Sequence, residues 1–192
     1  MRVVLYVPGI GDHYTVVRRL ATIGWYLYGV RPVVHRMDWS DGRPFAIKLQ
    51  SLLQHIDRLV ATGHRVSLVG ESAGASAAIH AYAARPQAVQ RVVCLCGKLK
   101  HPQSIRPSVL LANPAFGESM ALLPHSLVKL DDASLARVRS IHPLRDSSVP
   151  IDDTQLAGAE WRTIPSVGHA ASIIAGNTLF SYLLVPFLKR KV

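Results

Sequence analysis

The chain has 192 residues, with 22 Lys and Arg against 12 Asp and Glu, so its formal net charge is +10. This length predicts a single domain spanning residues 1–192 with a complete core. A hydrophobic share of 49% with only 18% charged residues excludes a disordered basic tail. We therefore interpret the positive charge as a surface property that can attract anions.

No targeting or membrane-spanning segment is predicted. The first residues, MRVVLYVPGIG, lack an apolar run followed by a small-residue cleavage site, so we expect no secretory signal and a cytoplasmic location. The apolar run Ser172–Leu188 is short for a membrane span and is interrupted by Gly176, Asn177 and Pro186. It is predicted to be a buried C-terminal helix.

Short apolar runs alternate with stretches of helical periodicity along the whole chain. In chain order the predicted elements are strand Arg2–Val7, helix Tyr14–Tyr28, strand Arg31–Met37, helix Phe45–Ala61, strand Arg65–Val69, helix Ala73–Ala84, strand Arg91–Cys96, strand Val138–His142, strand Trp161–Pro165 and helix Ala170–Leu188. Continuous apolar strands separated by helices are typical of a parallel sheet covered on both faces. The fold class predicted is a doubly wound, mostly parallel six-stranded sheet in a three-layer α/β/α arrangement.

The segment from Gly97 to Arg137 departs from this alternation. It contains four prolines and is predicted to form short helices in a small excursion above the sheet, like a cap. Just before it, Cys94 and Cys96 lie two apart on a predicted strand, which places both on one buried face. The sequence has no paired Cys-x-x-Cys clusters and no His-Glu-x-x-His motif, so no metal site is predicted.

Gly70-Glu71-Ser72-Ala73-Gly74 forms a Gly-x-Ser-x-Gly motif between a predicted strand and a predicted helix. A turn this sharp holds its central residue in a strained conformation and lifts the Ser72 hydroxyl out of the sheet. The glycines leave room where a side chain would clash. The helix N-terminus adds positive partial charge that would stabilise an oxyanion. Ser72 is therefore the predicted nucleophile.

A serine nucleophile needs a base, and histidine is the usual one. His169 follows the last predicted strand, at the sheet edge where Ser72 lies, and is the preferred base. His13 and His101 lie at the same edge and stay open as alternatives.

A carboxylate must orient the histidine and stabilise its charged form. Asp146 follows the fifth strand and is the preferred acid. Asp152 and Asp153 are its rivals, although their position before Thr154 suits a capping role at a helix N-terminus.

The order Ser72, Asp146, His169 on a parallel α/β framework resembles the α/β-hydrolase superfamily. Residues 145–150 resemble its acid loop, and Pro8-Gly9-Ile10-Gly11 its oxyanion loop, with proline where histidine often stands. The resemblance implies that the backbone N–H groups of Ile10 and Ala73 form an oxyanion hole. It also implies acyl transfer to water without a metal or organic cofactor. The family's first two strands have no counterpart here, which indicates a minimal version with an open site.

The substrate expected from this resemblance is a small-molecule carboxylic ester with a small or medium acyl group, and lipase, thioesterase and peptidase activities stay open as alternatives. We expect Gly9, Gly11 and Glu71 to line its binding site beside the catalytic residues. Between Ser72 and Phe116 the chain has no acidic residue but several basic ones. The basic residues that follow the fourth strand are Lys98, Lys100, His101 and Arg106, and they predict a basic rim for an anionic substrate or an anionic membrane surface.

A second hypothesis is a non-catalytic binding protein of the same fold that uses its basic face for an anionic partner. Nucleic-acid binding is not predicted, because the sequence has no basic stripe interleaved with aromatic residues.

Overall fold

The computed structural model describes residues 1–190 and consists of a six-stranded sheet between two layers of helices. All neighbouring strands pair in parallel, in the order β2-β1-β3-β4-β5-β6. The strands are β1 (Arg2–Val7), β2 (Val30–Val34), β3 (Arg65–Glu71), β4 (Val89–Leu95), β5 (Val138–Arg145) and β6 (Glu160–Val167).

Helices and short 3₁₀ segments connect the strands. The α-helices are α1 (Thr15–Ala21), α2 (Phe45–Ala61), α3 (Gly74–Ala84), α4 (Pro107–Ala112), α5 (Pro114–Leu127), α6 (Asp132–Leu135), α7 (His169–Asn177) and α8 (Ser181–Leu188). The 3₁₀ segments are Ile23–Tyr28, Pro102–Ser104 and Ile151–Thr154.

Alternating strand residues divide the core between the two faces of the sheet. Leu5 of β1 packs on the side of α2, α3 and α5, whereas Tyr6 packs on the side of α8 and the 3₁₀ segment Ile23–Tyr28. Both faces are apolar, as a parallel sheet with helices on each side requires. The predicted fold class is confirmed, with every strand parallel.

The predicted helix Tyr14–Tyr28 is wrong as a single element. It divides into α1 and the 3₁₀ segment Ile23–Tyr28. The tighter turn places Trp25 in the core, where its indole Nε1 donates to the carbonyl of Asn177 at 2.9 Å. A long-range partner therefore decides the break.

The predicted helix Ala170–Leu188 is also divided. It breaks between Asn177 and Ser181, and the two parts are bent by 57°. Burial of α8 is confirmed, because Leu184, Val185 and Phe187 are inaccessible to solvent. Within residues 1–190 no single helix is long and apolar enough to cross a bilayer, although α7 and α8 taken together pass that test by length and composition.

The predicted second strand and the cysteine pair each need a correction. The sequence predicts that the second strand runs to Met37, but β2 ends at Val34. The Met37 N–H donates to the Asp12 carboxylate, so this N–H group is not available to pair with a neighbouring strand. Cys94 and Cys96 are both buried, as predicted, and neither forms a disulfide, but they pack on opposite faces. The reason is that β4 ends at Leu95 and Cys96 has a positive φ of 48°, which ends the strand alternation.

Candidate active site

Ser72 lies in the turn between β3 and α3, with a φ of 51° that non-glycine residues rarely adopt. The flanking glycines allow this turn. A Cβ on Gly70 would stand 2.5 Å from the Ala75 Cα, and one on Gly74 would stand 2.0 Å from the Val7 carbonyl oxygen. Because these glycines have no side chains, β3 and α3 can meet in a sharp turn. Ser72 lies at this turn, and its side chain lines a cleft.

His169 begins α7, directly after β6, and its ring lies between two oxygen atoms. Nε2 is 2.8 Å from the Ser72 Oγ, and Nδ1 is 2.7 Å from the Asp146 Oδ2. The carboxylate can only accept at Nδ1, so Nδ1 carries the proton and Nε2 is left to accept from Ser72. Of the three candidate histidines, His169 is the one at hydrogen-bond distance from Ser72.

The Asp146 carboxylate is fully buried and is held in a fixed orientation. Its Oδ1 accepts from the N–H groups of Ser148 and Val149 at 2.8 and 3.0 Å. Burial alone would raise the pKa of Asp146, but the hydrogen bonds from His169 and these N–H groups hold the pKa below its usual value. Asp146 therefore stays ionised at neutral pH and faces the imidazole as an anion.

The rival carboxylate Asp153 has a different partner from the one predicted. It is 1% exposed, and it contacts the side chains of Lys98, His101 and Ser104 instead of capping a helix. Burial alone would raise its pKa, but the hydrogen bonds from Lys98 and His101 lower that pKa. Asp152 is exposed at the surface.

The predicted basic rim is therefore wrong in part. Lys98 lines the cleft, but it is buried and its ammonium is paired with Asp153, which also binds His101. Lys100 is half-buried and is not among the residues that line the cleft. Arg106 is exposed and lines the cleft. The acid-free stretch of sequence gave no sign that a carboxylate about 50 residues further along the chain would bind both Lys98 and His101.

Asp153→Asn is expected to lower the free energy of unfolding by about 3 kcal/mol or more, because it leaves the Lys98 ammonium buried without a counter-charge. Asp152→Asn, at an exposed neighbouring position, is the matched control and should change stability by less than about 0.5 kcal/mol. Urea denaturation followed by circular dichroism measures both. Equal midpoints for the two variants would contradict the assigned pair.

Two backbone N–H groups of residues that line the cleft are available as hydrogen-bond donors. Ile10 and Ala73 both line the cleft beside Ser72, and within residues 1–190 neither N–H donates to a protein acceptor. The loop carrying Ile10 comes close because Gly9 has no side chain; a Cβ there would stand 2.8 Å from the Ser72 Cβ. This pair can donate to an oxyanion formed next to Ser72. Gly11 continues the same loop with a φ of 79°.

Glu71 lines the cleft, as expected, but it is buried and its oxygen atoms already have donors. Arg18 of α1 binds both of them, at 2.7 and 3.1 Å, and the Tyr6 hydroxyl donates at 2.6 Å. Arg18 also donates to the Gly11 carbonyl at 3.2 Å. This network fixes the loop before α1 against the Ser72 turn. Sequence reasoning missed Arg18, because nothing in the local pattern indicates its partner 53 residues away.

The cleft has a volume of about 680 Å³, within the range of small-molecule sites. Its walls beside Ser72 are mainly apolar, contributed by α1, α4, α5 and α7. The apolar side chains lining it include Val17, Ile105, Val109, Phe116, Ile173 and Ile174. Within residues 1–190 no three His, Cys, Asp or Glu side chains are grouped to hold a metal ion. The arrangement places an apolar cleft next to Ser72, His169 and the N–H groups of Ile10 and Ala73.

Comparisons with known proteins agree on the fold. No family model matches the chain, and no curated protein matches it in sequence. Among solved structures, it is similar to a lipolytic enzyme of the metagenome-derived LipS and LipT pair (TM-score 0.67, 12% identity, 96% of this chain and 90% of that one). It is also similar to Est1E from Butyrivibrio proteoclasticus, with a TM-score of 0.66 and 14% identity over 96% of this chain and 88% of that one.

A third similar structure is 2-hydroxy-6-oxo-6-phenylhexa-2,4-dienoate hydrolase from Rhodococcus sp. strain RHA1, with a TM-score of 0.65 and 15% identity over 98% of this chain and 90% of that one. At identities this low, the likeness establishes architecture. Together with the parallel sheet and the sharp turn at Ser72, it shows that this chain has the fold of the α/β-hydrolase superfamily.

Proposed function

We propose that this protein is a serine hydrolase that cleaves carboxylic esters through an acyl-enzyme on Ser72. The observation that carries the proposal is the continuous hydrogen-bonded series from Ser72 through His169 to the buried Asp146. A serine, a histidine and a carboxylate in this geometry are the parts that nucleophilic acyl transfer requires.

The mechanism follows from the geometry. His169 Nε2 accepts the Ser72 proton as Oγ attacks the ester carbonyl carbon. The N–H groups of Ile10 and Ala73 donate to the oxyanion that develops on the carbonyl oxygen. His169 then protonates the leaving alkoxide, and Asp146 stabilises the imidazolium between these two steps. Water attacks the acyl-enzyme by the same sequence and releases the carboxylic acid.

The apolar cleft supports an ester with an apolar acyl group of small or medium size. Two of the cations that line the cleft are neutralised, Arg18 by Glu71 and Lys98 by Asp153, so neither is free to bind a substrate carboxylate. Similar folds in lipolytic and esterase structures are consistent with this chemistry. The pairing of Lys98 with Asp153 also removes one of the cations on which the alternative of a non-catalytic, anion-binding protein depends.

Labelling with a fluorophosphonate probe tests the proposal. The probe phosphonylates only an activated serine, so the wild-type protein should be labelled, and Ser72→Ala should not. Ser147→Ala is a matched control, because Ser147 is an exposed serine that lines the same cleft. Labelling that persists in folded Ser72→Ala, or is absent from the folded wild type, would contradict the proposal.

A further inference from the structure

One surface beside the cleft is apolar although it faces solvent. It is formed by the α1 region and by the break between α7 and α8, and we call it the apolar surface. It consists of Val16, Leu20, Ile23, Leu27, Leu179 and Tyr182, which are 54–91% exposed. Apolar side chains scattered singly on a surface are ordinary, but a contiguous group marks a site of interaction.

The α1 helix is unusual because none of its residues is buried. Val16 and Leu20 are four residues apart and share one side of the helix. An amphipathic helix normally turns its apolar side to the core, yet here that side faces solvent. Beneath this surface, the hydrogen bond from the buried Trp25 indole to the Asn177 carbonyl holds the two chain segments together.

The apolar surface is continuous with the cleft. Val17, next to Val16 on α1, lines the cleft and is 51% exposed. Ile174, on α7, also lines it and is 49% exposed. A molecule held on the apolar surface would therefore lie next to Val17 and Ile174 at the edge of the cleft.

Charge distinguishes the possible occupants of this surface. The sequence has no acidic residue from His13 to Met37 and none after Glu160, so both segments that build the surface lack carboxylates. Arg19 is exposed on α1, within the first segment. A second copy docked on the same surface would bring like charges together without a carboxylate to pair them. An anionic lipid bilayer satisfies both the apolar side chains and Arg19.

We propose that the apolar surface docks on an anionic lipid bilayer, with Leu20 and Leu27 inserted among the lipids. Only the consequence for substrate rests on the proposed function: an ester dissolved in the bilayer would reach the cleft past Val17 and Ile174, which lie at its edge.

Sedimentation with vesicles tests the docking. Wild type should bind phosphatidylcholine vesicles containing about a third phosphatidylglycerol, and should bind pure phosphatidylcholine more weakly. Leu20→Ser with Leu27→Ser should weaken binding by about tenfold or more, because two side chains lose apolar contact with lipid. Arg19→Gln should weaken binding to the anionic vesicles by about fivefold.

The control is Leu111→Ser with Val128→Ser, which removes two apolar side chains of similar exposure outside the apolar surface, 86% and 84%. It should bind as wild type does. Absence of wild-type binding, or equal losses in the two double variants, would overturn the proposal. Sedimentation equilibrium gives a second readout. If the wild type is a dimer and the double variant Leu20→Ser with Leu27→Ser is a monomer, the apolar surface contacts a second copy and the proposal is overturned.

Activity measurements separate this proposal from the proposed function. Ser72→Ala should bind the vesicles as wild type does, since docking does not need the nucleophile. Leu20→Ser with Leu27→Ser should reduce hydrolysis of a p-nitrophenyl decanoate embedded in vesicles and leave hydrolysis of soluble p-nitrophenyl butyrate unchanged. Vesicle binding without any esterase activity would contradict the proposed function alone.

Discussion

Replacement of Asp146 by Asn is expected to lower kcat for ester hydrolysis by about 10⁴-fold. In the wild type, Oδ1 is occupied by the N–H groups of Ser148 and Val149, so these donors should hold the oxygen of the Asn amide in the same place. The amide NH₂ then faces His169 Nδ1. A donor at this position favours the tautomer with its proton on Nε2, which cannot accept the Ser72 proton.

Asp152→Asn provides the control for this prediction, because it makes the same chemical change at an exposed carboxylate six residues away. Its kcat should stay within about twofold of wild type. The measurement is p-nitrophenyl butyrate hydrolysis at neutral pH, with circular dichroism to verify folding. If Asp146→Asn keeps kcat within tenfold of wild type, Asp146 is not the residue that orients His169.

Replacement of Gly74 by Ala is expected to prevent folding or to lower the free energy of unfolding by about 4 kcal/mol or more. The added Cβ would stand 2.0 Å from the Val7 carbonyl oxygen and 2.7 Å from that of Pro8. Both neighbours are backbone atoms at the end of β1, so neither can move away as a side-chain tip could. Relief requires β1 and α3 to separate, which would also displace the loop carrying Ile10.

Gly117→Ala is the matched control, because it also adds a Cβ to a helical glycine. Its nearest neighbour would be the flexible Leu110 side chain at 3.4 Å, so the better helix propensity of alanine should raise stability by about 0.5–1 kcal/mol. Urea denaturation should therefore shift in opposite directions for the two variants. A Gly74→Ala midpoint equal to wild type would contradict the close approach of β1 and α3.

Local patterns in the sequence predicted most of the architecture. Continuous apolar strands predicted a parallel sheet, and all six strands lie near their predicted positions. The same patterns failed for the helices Tyr14–Tyr28 and Ala170–Leu188, which periodicity presents as continuous. Each breaks beside one end of the hydrogen bond between Trp25 and Asn177, residues that are 152 positions apart. A periodic pattern contains no information about such a partner.

The residues of the candidate site were also predicted from the sequence only in part. The sequence by itself determined the motif around Ser72 and the chain order with Asp146 and His169, because a sharp strand-to-helix turn needs glycines at fixed spacing. Only the tertiary structure decided which carboxylate faces His169, because the choice depends on where the loops after β5 fold.

The charges near Ser72 were likewise decided by the tertiary structure. The sequence determined that the chain is basic, but not which cations stay free. Lys98 is neutralised by Asp153, and Arg18 by Glu71, in each case across more than 50 residues. The exposed apolar side of α1 was also invisible to periodicity, since the same pattern predicts a helix whether its apolar side meets the core or solvent. Long-range packing selects between these outcomes, because the free energy of a charge or an apolar side chain depends on what the fold places beside it.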